Sequence, residues 1–351
     1  MQWNRYTQTG VSLGLLALLA LMVGCLPGDP SLTPSTKATP APEFVSNAVC
    51  AQCHPDESES HRHSRHAITL NALSQESLGK LTPPVGPIPG TGFVLQKSGT
   101  QFTVSVPAQS HQIVPLTFAV GSGKTGVTYV ALVEDEKLAE FRMSYFPSKR
   151  KWYITPGQER LASDSLGKVH SQANAQRCLL CHSVTLPPEK SLPEKRFFGV
   201  GCESCHGPGG AHIKGGPMEK LGRLSATRLN TLCGKCHGTR EDVEAAHLPK
   251  DVTNRMQTYG LMESKCFQKS PDTLSCLTCH APHDSARTEV KHYEAVCVKC
   301  HSASVTSSQR SCPVNPKEKC IGCHMPARKA LSGSDIPMTM ADHKIQRPGK
   351  I

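Results

Sequence analysis

One five-residue pattern, Cys-x-x-Cys-His, occurs seven times in the chain. Six copies follow one another: Cys178-Leu-Leu-Cys181-His182, Cys202-Glu-Ser-Cys205-His206, Cys233-Gly-Lys-Cys236-His237, Cys276-Leu-Thr-Cys279-His280, Cys297-Val-Lys-Cys300-His301 and Cys320-Ile-Gly-Cys323-His324. The seventh, Cys50-Ala-Gln-Cys53-His54, stands alone near the N-terminus. The spacing has a chemical reading. Two thiols three positions apart share one turn of chain and can add to the two vinyl groups of one porphyrin, while the next imidazole sits beneath the ring as proximal ligand to the iron. The fourteen motif cysteines are therefore candidate thioether donors, and His54, His182, His206, His237, His280, His301 and His324 are candidate proximal ligands. Zinc is the competing reading. Zinc ribbons, however, pair two Cys-x-x-Cys knuckles around one ion and do not require His after the second Cys. Seven is odd and every copy carries the His, so the expected cofactor is haem c, seven per chain and covalently attached.

Such a cofactor load changes how the rest of the chain must be built. Aromatic residues make up only 5% of 351 residues, which is thin for a purely hydrophobic core of that length. Covalent porphyrins supply large flat apolar bodies for short segments to pack on. The expected fold class is accordingly a mostly irregular and α-helical multihaem cytochrome c, with short helices around stacked haems and a small antiparallel β-rich insert. The formal charge of +11 first suggests an anionic partner such as nucleic acid. Two propionates per haem would bring the exported holoprotein to about −4, so the basic residues are read as neutralising propionates and no nucleic-acid partner is expected.

Export is implied because this attachment chemistry takes place outside the cytoplasm. Residues 1–24 read as a signal peptide, with Arg5 ahead of the apolar run Val11 to Val23. The run ends at Leu21-Met22-Val23-Gly24-Cys25, which resembles a bacterial lipobox and makes Cys25 a lipidation candidate, although Met22 stands where Leu is usual. An ordinary signal peptide is the alternative. Residues 25–43 are rich in Pro, Ser and Thr and read as an extended tether. The chain is then expected on the periplasmic or cell-surface side of a bacterial membrane, held there by an N-terminal lipid.

Three further segments are expected. Residues 44–90 carry the first motif and a short helix containing His61, His63 and His66; His66 is the axial candidate, and His61 and His63 read as solvated. Residues 91–160 lack Cys and show β-branched or aromatic runs broken by Ser98-Gly99, Gly121-Ser-Gly123 and Pro147-Ser148, which predicts four to six antiparallel strands. Gly121-Ser-Gly-Lys-Thr125 lacks the spacer of a phosphate loop and is read as a turn. Residues 161–351 hold the hexahaem array, with Gly and Pro clusters that keep its helices short.

Local signatures resemble a family of multihaem cytochromes that includes the tetrahaem cytochrome accepting electrons from hydroxylamine oxidation. The residues that carry the resemblance are Cys50-x-x-Cys53-His54-Pro55 with Ser64-x-His66-Ala67, Gly199-Val-Gly-Cys202-Glu-Ser-Cys205-His206-Gly-Pro-Gly-Gly-Ala-His212, Cys279-His280-Ala-Pro-His283-Asp284, Cys323-His324-Met325-Pro326, and Asp342-His343. His61 departs from the pattern, since family members usually place an aromatic residue there. The resemblance implies that His66, His212, His283 and His343 are distal ligands to haem iron. His170, His247 and His292 are weaker candidates, chosen for lying between motifs, and each has hydrogen bonding to a propionate as its alternative. His111, in the β-rich insert, reads as structural.

Full bis-His ligation would leave no open iron, which favours a relay that passes electrons between other redox proteins or membrane quinol-linked complexes. The alternative is an oxidoreductase acting on a small nitrogen or sulfur compound at one five-coordinate haem; a filament-forming cytochrome is a third reading. No catalytic residue is assigned. Cys266 and Cys312 remain outside the motifs and read as a disulfide in an oxidising compartment, with free thiols as the alternative.

Overall fold

The computed structural model describes residues 3–4, 42–75, 78–105, 113–134, 137–187, 189, 192–248, 253–301, 312, 314–315, 318–331 and 335–347. Cys25, nearly all of the expected signal segment and tether, and His111 lie outside the described residues. Within them, one part of the chain is organised by sheets and the other by short helices.

The β-rich part is a pair of sheets. In the larger sheet the strand order is β1 (Trp3–Asn4), β11 (Gly167–Val169), β9 (Lys137–Phe146), β8 (Val127–Val133), β7 (Phe118–Val120) and β2 (Leu70–Ala72), and β10 (Lys151–Ile154) also pairs with β9. The smaller sheet runs β3 (Gly86–Pro87), β4 (Val94–Ser98), β5 (Gln101–Ser105), β6 (Ile113–Leu116). The strands therefore begin before residue 91 and end after residue 160, on both sides of the stretch the sequence marked out. The reason is that β2 and β11 carry little strand signal of their own and are recruited by pairing with β7 and β9.

Period-two alternation divides the large sheet between two cores. Tyr129, Ala131, Phe141 and Met143 point toward Phe93, Leu95, Phe102 and Val104 of the smaller sheet, where Tyr129 and Phe141 are wholly buried. Val130 and Leu138 point the other way, with Leu70 and Phe118. They meet Ala175 and Leu179 of α3 (Gln172–Leu179), the helix that carries Cys178. The β-rich unit thus supports the second motif directly and is not a detached insert. Gly121 (φ 111°) and Gly123 (φ 69°) form the bend between β7 and β8, as the turn reading of that stretch requires.

The remainder is built of helices of 4–12 residues: α1 (Asn47–Cys50), α2 (Pro55–Arg62), α4 (Cys202–His206), α5 (Ala226–His237), α6 (Arg240–Ala245), α7 (Gln257–Met262), α8 (Lys265–Lys269), α9 (Val290–His301) and α10 (Cys320–His324). A hairpin of β12 (Ala327–Lys329) and β13 (Thr339–Ala341) follows the last motif. Local sequence starts several of these helices: the hydroxyls of Ser171, Ser225 and Ser264 accept backbone N–H groups at the first turns of α3, α5 and α8. Four helices end on the motif histidine itself, so both cysteines of each lie on its last turn. Among the described residues no helix is long and apolar enough to cross a membrane.

Candidate haem sites

The motif histidines do not stand alone. His54 faces His212 with ring centres 6.4 Å apart and planes 24° apart. His206 faces His283 at 6.2 Å and 22°, His280 faces His343 at 6.3 Å and 30°, and His66 faces His237 at 6.1 Å and 65°. The spacing matches one chemical arrangement. Two metal–imidazole bonds of roughly 2 Å, with about 1.1 Å from each nitrogen to its ring centre, put the centres about 6.2 Å apart. The residues present therefore fit a haem iron between each pair.

Each pair joins distant parts of the chain. His66 follows the first motif but faces the histidine of the fourth. His212, just after the third motif, faces the first; His283, just after the fifth, faces the third; and His343, near the C-terminus, faces the fifth. For His182, His301 and His324 no imidazole stands opposite at this spacing among the described residues. His170 instead contacts Glu140 Oε2 at 3.3 Å, His247 is exposed with φ 47°, and His292 packs edge-on to Tyr293.

Hydrogen bonds fix the ring orientations. The Nδ1–H groups of His182, His212, His324 and His343 donate to the carbonyls of Thr69, Gly216, Gln346 and Ala341 at 3.1, 3.2, 2.8 and 3.0 Å. His237 donates to Gln257 Oε1 at 3.1 Å. Tying Nδ1 in this way leaves Nε2 for a metal. Burial, and then the facing imidazole, push the pKa values of His66, His206 and His280 down, and burial does the same for His182 and His343. These rings stay neutral, the form that ligates. Burial also pushes up the thiols of Cys178, Cys202, Cys205, Cys266 and Cys279, as expected in surroundings suited to a porphyrin.

Thiol contacts between motifs give the order of the sites in space. The Cys50 thiol neighbours that of Cys202, Cys233 neighbours Cys276, and Cys297 neighbours Cys320. These are first cysteines meeting first cysteines. Cys205 lies near Cys233 and Cys279 near Cys297, which link those pairs end to end, and Cys181 lies near Cys236 and brings in the second motif. With Cys202 beside it, burial raises the Cys50 thiol to about 11.

One residue type behind this pairing was not singled out in the sequence. Asn47, three positions before Cys50, accepts the Cys202 N–H at 2.9 Å through Oδ1. Asn230, three positions before Cys233 and fully buried, accepts the Cys276 N–H at 2.9 Å and its thiol at 3.2 Å, and donates to the Leu274 carbonyl. Glu294, three positions before Cys297, is buried beside Cys320. The repeated signal Asn-Ala-Val-Cys50, Asn-Thr-Leu-Cys233, Glu-Ala-Val-Cys297 was available to find it.

The Gly199-to-His212 signature is a second clamp. Glu203, 3% exposed, accepts N–H groups from Val45, Ser46 and Gly209 at 2.8–3.1 Å, pinning the segment before the first motif to the third. Gly199 (φ 78°) lets the backbone approach Ala67 so closely that a Cβ would strike the Ala67 carbonyl, while the Val200 N–H donates to the His66 carbonyl at 2.9 Å. His61 differs from expectation. It is only 8% exposed and bonds to the Val200 backbone, because α2 turns it inward toward this clamp; His63 stays exposed beside Glu59. Cys266 and Cys312, the expected disulfide pair, are both free thiols in the structure, and Cys266 Sγ lies 4.0 Å from His301 Nε2.

Residues 142–207, from β9 through the third motif, match the family described as "Cytochrome c554 and c-prime". The multiheme cytochrome MtrA of Shewanella baltica is 27% identical over 198 residues, covering 48% of this chain and 58% of the relative. The dissimilatory sulfite reductase MccA of Wolinella succinogenes is 21% identical over 368 residues, covering 81% of this chain and 51% of the relative. The chain thus spans a little over half the length of the curated relatives it matches. In overall fold it is similar to the outer cell wall cytochrome OcwA, with a TM-score of 0.54 at 15% identity over 86% of this chain and 79% of that one. The chain is thus similar over part of its length to multihaem c-type cytochromes, and in fold to an outer cell wall cytochrome.

Proposed function

We propose that the protein is an exported electron relay carrying seven haems, one per Cys-x-x-Cys-His motif, with mainly bis-His ligation. The observation that carries the proposal is the set of four facing imidazole pairs, His54 with His212, His66 with His237, His206 with His283 and His280 with His343. Bound haem supplies one-electron chemistry at iron. The residues do the rest. The paired imidazoles would hold an iron from both sides and keep small substrates off it, and the motif cysteines that neighbour one another would hold the sites close. His170, His247 and His292 remain candidates for the distal sides of His182, His301 and His324. The nearer kinship with the tetrahaem acceptor of hydroxylamine oxidation rests on the Gly199-to-His212 signature, which lies partly inside the matched segment. The chain would lie on the periplasmic or cell-surface side of a bacterial membrane, held by a lipid on Cys25, a reading supported by the lipobox-like residues 21–25. Partners would be other redox proteins or quinol-linked complexes.

The test combines intact mass with low-temperature electron paramagnetic resonance of the oxidised protein. Seven haem masses and a predominantly low-spin ferric spectrum are expected. A predominantly high-spin spectrum would overturn the relay reading, and a mass equal to bare polypeptide would overturn the cofactor itself.

A further inference from the structure

We infer that Cys266 is the distal ligand of the haem carried by Cys297 and Cys300, giving that iron a thiolate–imidazole pair in place of two imidazoles. The inference rests on the haem-loaded reading above. Its geometry is independent of the four histidine pairs.

Cys266 Sγ lies 4.0 Å from Nε2 of His301, the motif histidine of that site. This separation is loose for a direct thiol–imidazole hydrogen bond. It is close to the span of one metal held from both sides, with a metal–imidazole bond of about 2.0 Å and a metal–thiolate bond of about 2.3 Å. The sulfur also neighbours Cys300 and Cys297, the two thioether cysteines of the same motif, and Cys279 of the preceding one. A thiol facing an imidazole Nε2 across a metal-sized gap, beside both anchors of one porphyrin, is a ligand set and not an isolated cysteine.

The local fold holds the sulfur there. Cys266 is the second residue of α8, whose first turn is closed by Ser264 accepting the Phe267 N–H at 3.2 Å. Phe267 is buried at 8% exposure and fixes the helix face. Cys312, the partner expected for a disulfide, instead lies near Cys320 and accepts the Asn315 N–H. On ligation the Cys266 thiol gives its proton to solvent and its sulfur bonds to iron, with no change in oxidation state. Thiolate pushes electron density onto iron, so this site would hold electrons least readily of the seven. One of His170, His247 and His292 is thereby released from ligand duty.

The test uses full-length matured protein, with haem count by mass measured first so that failure of haem loading is read separately. Wild-type ferric protein should show one low-spin species of thiolate type, amounting to one haem in seven. Cys266→Ala should lose that species, gain an equal high-spin signal and raise the lowest reduction potential; Cys266→His should restore low spin as a bis-imidazole species. The wild-type spectrum decides alone if the variants fail to mature. A fully loaded wild type without the thiolate species would overturn the inference, as would a Cys266–Cys312 disulfide found by peptide mapping or a Cys266→Ala spectrum indistinguishable from wild type.

Discussion

The β-rich unit and the haem array are held together by different physics. Between residues 70 and 169 the chain buries Tyr129, Phe93, Phe102 and Phe141 at 0–1% exposure in a continuous apolar core. Beyond residue 200 the described buried apolar side chains belong to neither cluster, Leu229, Val243, Leu261 and Phe267 among them at 7–8% exposure. What joins the helices there is a series of discrete polar devices: Asn47, Asn230 and Glu203 on backbone N–H groups, and Nδ1 atoms on carbonyls. The contrast teaches that one region can rely on its own side chains whereas the other is a frame around its prosthetic groups. In small metallodomains of that kind, binding free energy is folding free energy.

The largest expected effect separates the two outright. Protein produced without haem attachment should keep its strand signal in circular dichroism and lose its helical signal, and limited proteolysis should digest the segment after residue 202 first while sparing 70–169. Equal loss of both would break the comparison. Next, Phe141→Ala, at a wholly buried ring that packs 5.4 Å from Phe93, should destabilise the β-rich unit by about 3–5 kcal/mol in denaturant titration. Glu203→Ala should cost about 2–4 kcal/mol by leaving buried N–H donors unpaired, and should loosen the segment before the first motif in hydrogen exchange. Asn230→Ala should cost about 1–3 kcal/mol and alter the coupling between the fourth and fifth haems, read as a change in their magnetic interaction. Smallest of all, Arg228→Ala removes an exposed ion pair with Glu219 at 2.9 Å and should change stability by less than about 1 kcal/mol.

The motifs could be read from spacing alone because thioether chemistry demands one turn of chain and is local. Facing imidazoles are not local. His212, His283, His66 and His343 were suggested by resemblance, yet which motif each would face depends on tertiary placement that no periodicity encodes. The strands β8 and β9 were legible from alternating β-branched and aromatic residues, whereas the three-residue β2 and β11 owe their form to pairing. His61 misled for a related reason. A polar residue on a polar helix reads as solvated, whereas the fold turns His61 inward beside Val200 and leaves it only 8% exposed. Cys266 and Cys312 were matched by elimination, an argument about counts that carries no distance.

The facing pairs also constrain biogenesis. If porphyrins are attached in the order in which the motifs are exported, His54 would be loaded before His212 arrives and His280 before His343. Maturation would then proceed as a series of delayed closures, with the C-terminal hairpin and His343 acting as the last latch. A truncated or stalled product would leave particular irons open to peroxide or oxygen, making incomplete copies chemically hazardous and not merely inactive.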